Sequence, residues 1–540
     1  MTNDHARTDH ARTASIRTDP TRTDPTVYDL LGIGIGPFNL SLAALCDGAP
    51  DLRTLFLDAK PAFSWHPGLL MEGTVLQVPF LADLVTMADP TSPWSYLNYL
   101  REHDRMFPFF FSERFHIPRR EYDHYCRWVA GRLPSCRFDA RVTELDWEEG
   151  EGAGAGVFAV THRSADGSLS RVRARQVVLG VGTQPVVPDP LRPLLAAPSS
   201  TPPGAPTGTA PTAPSTPSVP SPTGQTTPSA PSGTPAHDRL VLHSADYRTH
   251  RTRLAGLDDV TVIGAGQSGA EVVLDLLRQQ DGDGRGGPFV RWIARTPAFA
   301  PMEYSKIGLE HFTPDYVRYF RALPEQRRDQ LVREQWQLYK GVSEETLAEI
   351  HDELYERTIG GTQPRAALHP GVTVENAEAL PGRGPGPVPG SGPGLGSGPG
   401  PEGTTGPADG GGYLLTCRHT EQDEVFEVRT SAVVSATGYA AARPDFLDTL
   451  AKLVLWDEKG RYRIDGEYRV ALDPRVTGAL YVQNAELHTH GVGAPDLTLG
   501  AWRAATILNA AAGRTVLRVP ERAAWTTFGV PTTPEAPGTP

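Results

Sequence analysis

A glycine-rich turn near the N-terminus lies between a short apolar run and a segment with helical apolar spacing. Gly34, Gly36 and Asn39 occupy its three key positions, and Asn39 stands where a third glycine is usual. The first glycine permits a tight turn, the second admits a pyrophosphate, and the next helix offers it free N–H groups. Asp58 ends the following apolar run, at the spacing where an acid holds a ribose hydroxyl. The segment predicts a dinucleotide site that includes Pro37; a purely structural turn would not require Asp58.

A second turn of the same kind contains Gly264 and Gly266 and leads into another helical pattern. Here the apolar run after the helix ends in Arg295 instead of an acid. A cation at this position suits the 2′-phosphate of NADPH and disfavours NADH. We predict an NADPH site that also includes Gln267 and Ser268. The alternative is that Arg295 is a solvated charge at a strand end.

Two nucleotide turns in one chain, the second inserted within the first domain, are typical of a flavoprotein oxidoreductase that binds FAD and NADPH. Residues 177–183 and 433–439 support this plan, because each is an apolar run that ends in a small-residue turn. We expect the chain to cross between domains there. The predicted fold class is α/β, with two Rossmann-like dinucleotide-binding domains, a small substrate-binding region and two disordered Pro/Gly-rich insertions.

The low-complexity segments define the domain boundaries. The chain has 540 residues, and its 55 Gly and 51 Pro are clustered. Residues 197–236 contain no Asp, Glu, Lys or Arg, and residues 381–412 hold 14 Gly and 8 Pro. The predicted organisation is a disordered tail (1–26), an FAD-binding domain in two parts (27–196 and 413–515), an NADPH-binding domain with the substrate segment (237–380), two disordered insertions (197–236 and 381–412) and a C-terminal tail (516–540).

Composition excludes several classes of protein. The net charge is −12 and no long basic run is present, which disfavours nucleic-acid binding. No stretch approaches 18 consecutive apolar residues, so we predict no membrane span, and the N-terminus lacks the apolar region of a secretory signal. The four scattered cysteines fit neither a metal cage nor a redox dithiol, so we predict no metal site and a cytoplasmic location.

The order of the motifs resembles the N-hydroxylating flavoprotein monooxygenases of siderophore biosynthesis, the lysine/ornithine N-monooxygenases and their diamine-acting relatives. The segments that carry the resemblance are 34–39, 64–68, 76–80, 264–269, 436–439, 488–491 and 496–503. The resemblance implies an FAD- and NADPH-dependent enzyme that hydroxylates a primary amine with O₂ through a C4a-hydroperoxyflavin. It also implies a homo-oligomer, by family habit a tetramer.

The resemblance assigns further residues by motif position. It implies that Gln77 contacts the flavin, Val142 the adenosine side, and Asp496 and Leu497 the isoalloxazine through their backbone. Thr498 stands where family members hold the substrate with a hydroxyl. Trp65 and His66 precede the flavin-contacting segment and are two more cofactor-site candidates. For Trp65, simple packing is an equal alternative.

The substrate end departs from the amino-acid hydroxylases. Ala82 and Leu309 stand where those members carry a Lys and an Asn that hold the amino acid. Burying a carboxylate against two apolar residues is costly, so a diamine such as cadaverine or putrescine is favoured. Its second ammonium needs an acid, and Glu303 is the first candidate, followed by Glu310 and Glu486.

Other activities stay open on the sequence alone. Lysine or ornithine would be the substrate if Lys306 or Lys340 held the carboxylate instead. A disulfide reductase shares the two-nucleotide plan but needs a dithiol, which is absent. A Baeyer–Villiger or dimethylaniline-type monooxygenase would lack residues 76–80 and 488–491 as they stand here. A nucleotide-binding protein without activity is disfavoured by the intact turns.

Overall fold

The computed structural model describes residues 22–150, 156–195, 240–280, 286–380 and 411–531. Residues 197–236 and 381–410 of the predicted insertions lie outside these ranges. The strands are β1 Arg22–Tyr28, β2 Leu30–Ile33, β3 Thr54–Leu57, β4 Cys136–Arg137, β5 Ala140–Glu148, β6 Val157–Ser164, β7 Leu169–Ala174, β8 Gln176–Leu179, β9 Thr183–Pro185, β10 Leu240–His243, β11 Asp259–Ile263, β12 Phe289–Ile293, β13 Ala366–His369, β14 Val372–Ala379, β15 Tyr413–His419, β16 Glu424–Thr430, β17 Ala432–Ser435, β18 Tyr439–Ala441 and β19 Ala479–Val482. The helices are α1 Pro37–Cys46, α2 Tyr96–Glu102, α3 Met106–Ser112, α4 Arg119–Ala130, α5 Tyr247–Ala255, α6 Gln267–Arg278, α7 Pro314–Ala322, α8 Glu325–Glu334, α9 Trp336–Tyr339, α10 Glu344–Glu356, α11 Leu487–His490 and α12 Gly500–Ala512. Within these ranges, no helix is long and apolar enough to cross a membrane.

The first nucleotide-binding unit is built on a parallel sheet in the order β19-β8-β2-β3-β4. Its strands are apolar on both faces, as buried parallel strands require. Leu30 and Val178 point to a core shared with α1, α4 and α12, whereas Leu31 and Val177 point to a core shared with the sheet β1-β7-β6-β5. The nucleotide turn between β2 and α1 therefore lies on a support that is packed on both sides.

The second unit repeats this plan with a parallel sheet in the order β10-β17-β11-β12-β13. Val260 and Val262 face the core that contains α6, and α10 packs against α6. On the other face, Val241 and Val433 pack against the antiparallel sheet β14-β15-β16. The second turn, between β11 and α6, is thus held like the first.

One predicted domain boundary is wrong. We assigned residues 413–515 to the first unit, but β17 lies in the second sheet, where it pairs in parallel with both β10 and β11. Its neighbours β15 and β16 belong to the second unit as well. A short run that is apolar on both faces suits the centre of either sheet, so its composition does not reveal its neighbours. The first unit resumes after residue 436.

The ends of the chain also differ from the prediction. Residues 22–26 were assigned to a disordered tail, but β1 begins at Arg22 and pairs in parallel with β7. Such pairing uses backbone groups, so the strand needs no apolar sequence to form. At the other end, Leu517 packs against the first core and Phe528 against Tyr316, so the segment from 516 to 531 is part of the packed structure.

A small region completes the molecule. A single helical turn, Gly308–Phe312, precedes α7, α8 and α9, and together they contact α11 and the turn Gly491–Gly493. Phe312, Phe320 and Val492 share a separate core there. This packing brings the predicted substrate segment against residues 488–498. The predicted fold class is confirmed.

Candidate active site

The first glycine turn has the geometry that a dinucleotide requires. Gly34 has φ +87°, and a Cβ added there would lie 2.5 Å from the Gly180 carbonyl oxygen, so only glycine fits. Gly36 is the N-cap residue of α1 and leaves the helix without a side-chain cap. No atom lies within 4 Å of a Cβ added at Gly36. The free N–H groups at the start of α1 therefore face open space that admits a pyrophosphate.

Asn39 supports this turn from behind. Its side chain is buried, and Nδ2 donates to the Gly34 carbonyl oxygen at 2.8 Å while Oδ1 accepts from Gln483 Nε2 at 2.7 Å. Gly180 packs so closely that an added Cβ would lie 2.4 Å from Asn39 Nδ2. The asparagine at the third position thus fixes the turn through hydrogen bonds inside the protein, which is an indirect role in cofactor binding.

Asp58 closes the other side of the turn. Its Oδ2 accepts from the Ile35 N–H at 2.7 Å, and its Oδ1 accepts from the Lys60 N–H at 2.8 Å. Each carboxylate oxygen keeps a second lone pair that could accept from a ribose hydroxyl. The Ala140 N–H donates to the Asp58 carbonyl oxygen at 2.8 Å, which places Val142, two residues further on β5, on the same side. The two predicted adenosine-side residues therefore lie near each other.

The second turn repeats the steric logic. Gly264 has φ +126°, and an added Cβ would lie 2.2 Å from the Ala436 carbonyl oxygen. Gly269 packs so closely that an added Cβ would lie 2.4 Å from the Gly264 carbonyl oxygen. Gly266 is the N-cap of α6, again without a side-chain cap, and Ser268 lies in the first helical turn. This unit, too, offers free N–H groups to a phosphate.

Two cations lie beside the second turn. Arg295 follows β12 and is exposed, and Lys340 lies next to Gly266, where an added Cβ would be 3.4 Å from the Lys340 carbonyl oxygen. Burial and the charge of Arg295 lower the pKa of Lys340. Within the described parts of the chain, neither cation is in an ion pair. Two neighbouring cations without an acid favour a phosphate ligand, and this position favours a cofactor role for Lys340 over the alternative of holding a substrate carboxylate.

The two nucleotide units meet at Gln77. Its Nε2 donates to Gln267 Oε1 at 3.2 Å and lies 3.0 Å from Met302 Sδ. Gln267 Nε2 donates in turn to Glu271 Oε1 at 2.9 Å. Arg119, at the start of α4 in the first unit, forms a buried ion pair with Glu271 at 2.8 Å. The predicted flavin and NADPH residues are thus brought together by one hydrogen-bonded network.

An acidic cluster, formed by Tyr304 with Glu345 and Asp496, adjoins this network. Burial, together with the nearby carboxylates of Glu345 and Asp496, raises the pKa of Tyr304 to about 12. Burial also raises the pKa of Asp496, although the Thr498 N–H donates to Asp496 Oδ1 at 2.7 Å. The Thr498 side chain also hydrogen-bonds to the Asp496 carboxylate, so the Thr498 hydroxyl is held beside this acid. The neighbouring Leu497 packs partly against the first core.

Trp65 and His66 line a cleft between the units. His66 has φ +43°, and its ring lies 5.1 Å from the Trp65 ring and 5.6 Å from the Tyr439 ring. The His66 side chain is accessible, yet surrounding protein and the charges of Arg119 and Lys60 lower its pKa to about 4. His66 is therefore neutral at pH 7.

The predicted substrate residues separate into two groups. Ala82 is buried and Leu309 is partly exposed, on the single helical turn. Glu303 is exposed, and hydrogen bonds from the Ser305 hydroxyl and from the Ser305 N–H, which lies 2.6 Å from Glu303 Oε1, lower its pKa. The other two candidate acids already have partners. Glu486 is fully buried in an ion pair with Arg503, and Glu310 accepts from the Trp525 and Thr526 N–H groups at 3.1 and 2.7 Å.

The sequence prediction did not include Glu345, which lies near Tyr304. Glu345 lies in the first turn of α10, where an acid ordinarily stabilises the helix N-terminus, so its type carried no functional signal. Tyr304 directly follows the predicted Glu303. Because neighbouring side chains of an extended segment point to opposite sides, Tyr304 could have been considered as the alternative to Glu303. Arg119 and Glu271 are 152 residues apart, and nothing in either local pattern indicates their pairing.

Comparison with known proteins agrees with this geometry. A family model described as L-lysine 6-monooxygenase/L-ornithine 5-monooxygenase matches residues 26–201 and 221–384. A rhizobactin siderophore biosynthesis protein of Rhizobium meliloti is 40% identical over 512 residues, 94% of this chain and 97% of the relative. A putrescine N-hydroxylase of Shewanella oneidensis is 37% identical over 503 residues, 93% of this chain and 84% of the relative. The FAD-bound crystal structure of a cadaverine monooxygenase from Erwinia amylovora has a TM-score of 0.76 at 31% identity, and covers 94% of this chain and 100% of that one.

The fold and site define a flavoprotein N-monooxygenase. This chain belongs to the L-lysine 6-monooxygenase/L-ornithine 5-monooxygenase family. The resemblance stated from the sequence is confirmed, and so are the enzyme class and the cofactor pair, FAD and NADPH. The roles of the individual residues remain predictions.

Proposed function

We propose that this enzyme hydroxylates one terminal nitrogen of an aliphatic diamine, cadaverine or putrescine, in the biosynthesis of a hydroxamate siderophore. The observation that carries the proposal is the contact between Gln77, the predicted flavin contact, and Gln267 of the second nucleotide turn, beside Tyr304 and Asp496. Bound FAD, reduced by NADPH, would supply oxygen activation, and the residues of the chain bind, orient and shield the amine. We place the reaction in the cytoplasm, where NADPH is supplied.

The substrate class follows from what the pocket lacks. Ala82 and Leu309 present no polar side-chain atom to a carboxylate, and an unpaired carboxylate against apolar groups would cost several kcal/mol. A diamine removes that carboxylate. The similarity to a putrescine N-hydroxylase and a cadaverine monooxygenase supports this choice.

The ammonium that does not react needs an acid. We retain Glu303 for this role and add Glu345, because Glu345 lies close enough to the half-buried Tyr304 to raise its pKa. Glu303 is charged at neutral pH, since a hydrogen bond from Ser305 lowers its pKa. The two acids are distinguished by replacing each with glutamine. Loss of the correct acid should raise KM for the diamine by about 10-fold or more, because a charged hydrogen bond contributes roughly 1.5–3 kcal/mol.

The amine that reacts must be uncharged. A free alkylamine has a pKa near 10.4, so removing its proton at pH 7 costs about 4.6 kcal/mol. Burial in the cleft opposes the charged form and lowers that cost. The Thr498 hydroxyl, which is held beside Asp496, is our candidate to accept a hydrogen bond from the nitrogen. We therefore expect Thr498→Val to raise KM for the amine while NADPH oxidation continues.

The decisive experiment compares hydroxylated product from cadaverine, putrescine, L-lysine and L-ornithine under identical FAD, NADPH and O₂. Product has to be measured directly, because NADPH oxidation alone also reports leakage to peroxide. Diamine product with little from lysine supports the proposal. Product from lysine with little from either diamine would overturn the substrate class, keep the enzyme class, and direct the search for a carboxylate partner to Lys306.

A matched variant sharpens this test. Ala82→Lys combined with Leu309→Asn restores the two residue types that hold an amino acid in lysine and ornithine hydroxylases. If the apolar pair excludes the carboxylate, the double variant should gain product from lysine or ornithine and lose product from the diamine. An unchanged product ratio would show that these two positions do not select the substrate.

A further inference from the structure

A cluster of phenylalanine rings is exposed on the first unit. Helix α3 has the sequence Met-Phe-Pro-Phe-Phe-Phe-Ser, and Phe107, Phe110 and Phe111 are 75%, 73% and 73% exposed. The Phe107 and Phe111 rings stack with centroids 6.4 Å apart, and the Phe110 and Phe111 rings are 5.4 Å apart. Phe115, after the helix, is 53% exposed. We name these four residues the phenylalanine face.

The opposite side of α3 is firmly packed. Phe109 contacts Phe80 and Tyr96, with ring centroids 5.2 and 5.5 Å apart. The Phe80 N–H donates to the Phe115 carbonyl oxygen at 2.9 Å, and the Phe80 and Phe115 rings lie 5.8 Å apart. The phenylalanine face is therefore presented to solvent by a helix that is anchored in the core, and its exposure is not the result of a loosely attached segment.

The exposed area is large enough for an interface. At roughly 200 Å² for each fully exposed ring, the four residues present about 550 Å² of apolar surface. This area is near the upper end of the largest patch on a typical monomer, and such patches mark interaction sites. Two such faces in contact bury about 1,100 Å², which exceeds the roughly 1,000 Å² that a specific protein interface needs.

The charges around the face favour a protein over a membrane. Asp104 and Arg105 precede α3 and Glu113 and Arg114 follow it, so the two ends carry equal numbers of acids and bases. A face that binds anionic lipid would have an excess of cations around it. Arg105 is already paired with Glu121, which leaves Asp104 at one end and Arg114 at the other without an ion-pair partner in the described residues.

We propose that the phenylalanine face is the contact surface for a second copy of this chain. A two-fold axis brings the two α3 helices together in antiparallel orientation, since such an interface uses the same surface on both copies. Asp104 of each copy then lies opposite Arg114 of the other. The interface also lies beside the turn that carries Phe80 and Ala82, so association covers the outer side of that turn.

Molar mass in solution tests the interface. The wild-type enzyme, loaded with FAD, should run in light-scattering chromatography at twice the monomer mass or at a higher even multiple. The variant Phe107→Ser/Phe111→Ser should fall to half of that mass or to the monomer. Tyr355→Ser, which replaces an aromatic residue that is 63% exposed on the second unit, is the matched control and should keep the wild-type mass. Flavin content and circular dichroism establish that each variant is folded.

A charge reversal makes the test specific for a second copy. Asp104→Arg and Arg114→Asp should each weaken association by about 10-fold, and the double variant should recover it, because the two charges simply exchange sides of the two-fold axis. A monomeric wild-type enzyme at 10–50 µM would overturn the proposal. So would a wild-type mass that the two serines leave unchanged. Sedimentation of the wild type, but not of the serine variant, with phosphatidylglycerol vesicles would assign the face to a membrane instead. None of these measurements depends on which amine the enzyme hydroxylates.

Discussion

At the scale of single residues, Arg295 and Lys340 are the candidates for selecting NADPH over NADH. Both cations lie beside the second glycine turn, and the described residues offer neither an ion-pair partner. We expect Lys340→Met to weaken binding of 2′,5′-ADP by about 10-fold, because a charge-assisted hydrogen bond contributes roughly 1.5–3 kcal/mol. Calorimetry with 2′,5′-ADP measures the loss, and 5′-AMP, which lacks the 2′-phosphate, is the reference ligand. An equal loss for both ligands would place Lys340 away from that phosphate.

A sequence pattern predicts those residues whose structural reason is local. Gly34 and Gly264 were predicted from their spacing, and the structure shows the backbone contacts that exclude any larger residue. Glu310 and Glu486 were nominated for the substrate, but their partners are remote in the chain: Thr526 lies 216 residues from Glu310, and Arg503 lies 17 from Glu486. The sequence does not distinguish a carboxylate that already has such a partner from one that is free to bind a substrate.

Among the elements, the C-terminal segment supports the candidate substrate region. Phe528 packs on Tyr316 and His311 with ring centroids 5.0 and 5.4 Å apart, next to the single turn that carries Leu309. We expect Phe528→Ala to destabilise the protein by about 1–2 kcal/mol, less than a fully buried ring would, and to raise KM for the amine. Denaturant titration and steady-state kinetics measure the two effects. Trp525→Ala is the control, since that ring is 91% exposed and should matter little.

Helix α11 links stability to pH. His490 is almost fully buried, and its burial with the charges of Arg321 and Arg503 lowers its pKa well below the ordinary value of 6.5. The unfolded chain therefore binds a proton below pH 6.5 that the folded chain refuses, and stability is lost as pH falls from there. The slope for one proton is about 1.4 kcal/mol per pH unit. We expect His490→Asn to flatten the decline of unfolding free energy between pH 6.5 and 5, whereas His116→Asn, at an exposed site, should leave it unchanged.

At the scale of the whole molecule, the plan of two nucleotide units followed from the order of the motifs, but the membership of one strand did not. The sequence places β17 close to the second part of the first unit, whereas the structure inserts it between β10 and β11. Hydrophobic pattern determines that a run is a buried strand, and only pairing decides which sheet receives it. The same limit applies to the joint between the units, where side chains from distant segments meet.

The joint between the two units relates their relative position to catalysis. Arg119 of the first unit and Glu271 of the second form a buried pair, and removing one partner of such a pair costs roughly 3–5 kcal/mol. Glu271 also bonds Gln267, which contacts Gln77, so Glu271→Gln should slow flavin reduction by NADPH and lower the yield of hydroxylated product per NADPH. Stopped-flow absorbance measures the reduction.

Two comparisons separate positioning from simple stability. Glu375→Gln breaks a partly exposed pair with Arg418 inside the second unit and should leave flavin reduction unchanged. Arg119→Met combined with Glu271→Met removes both buried charges, so it should recover much of the lost stability without restoring the network to Gln267. If the double variant also restored the rate of flavin reduction, the pair would contribute packing alone. If reduction stays slow in a stable protein, the network aligns the two cofactors, and the relative position of the units is set by side chains that neither nucleotide motif contains.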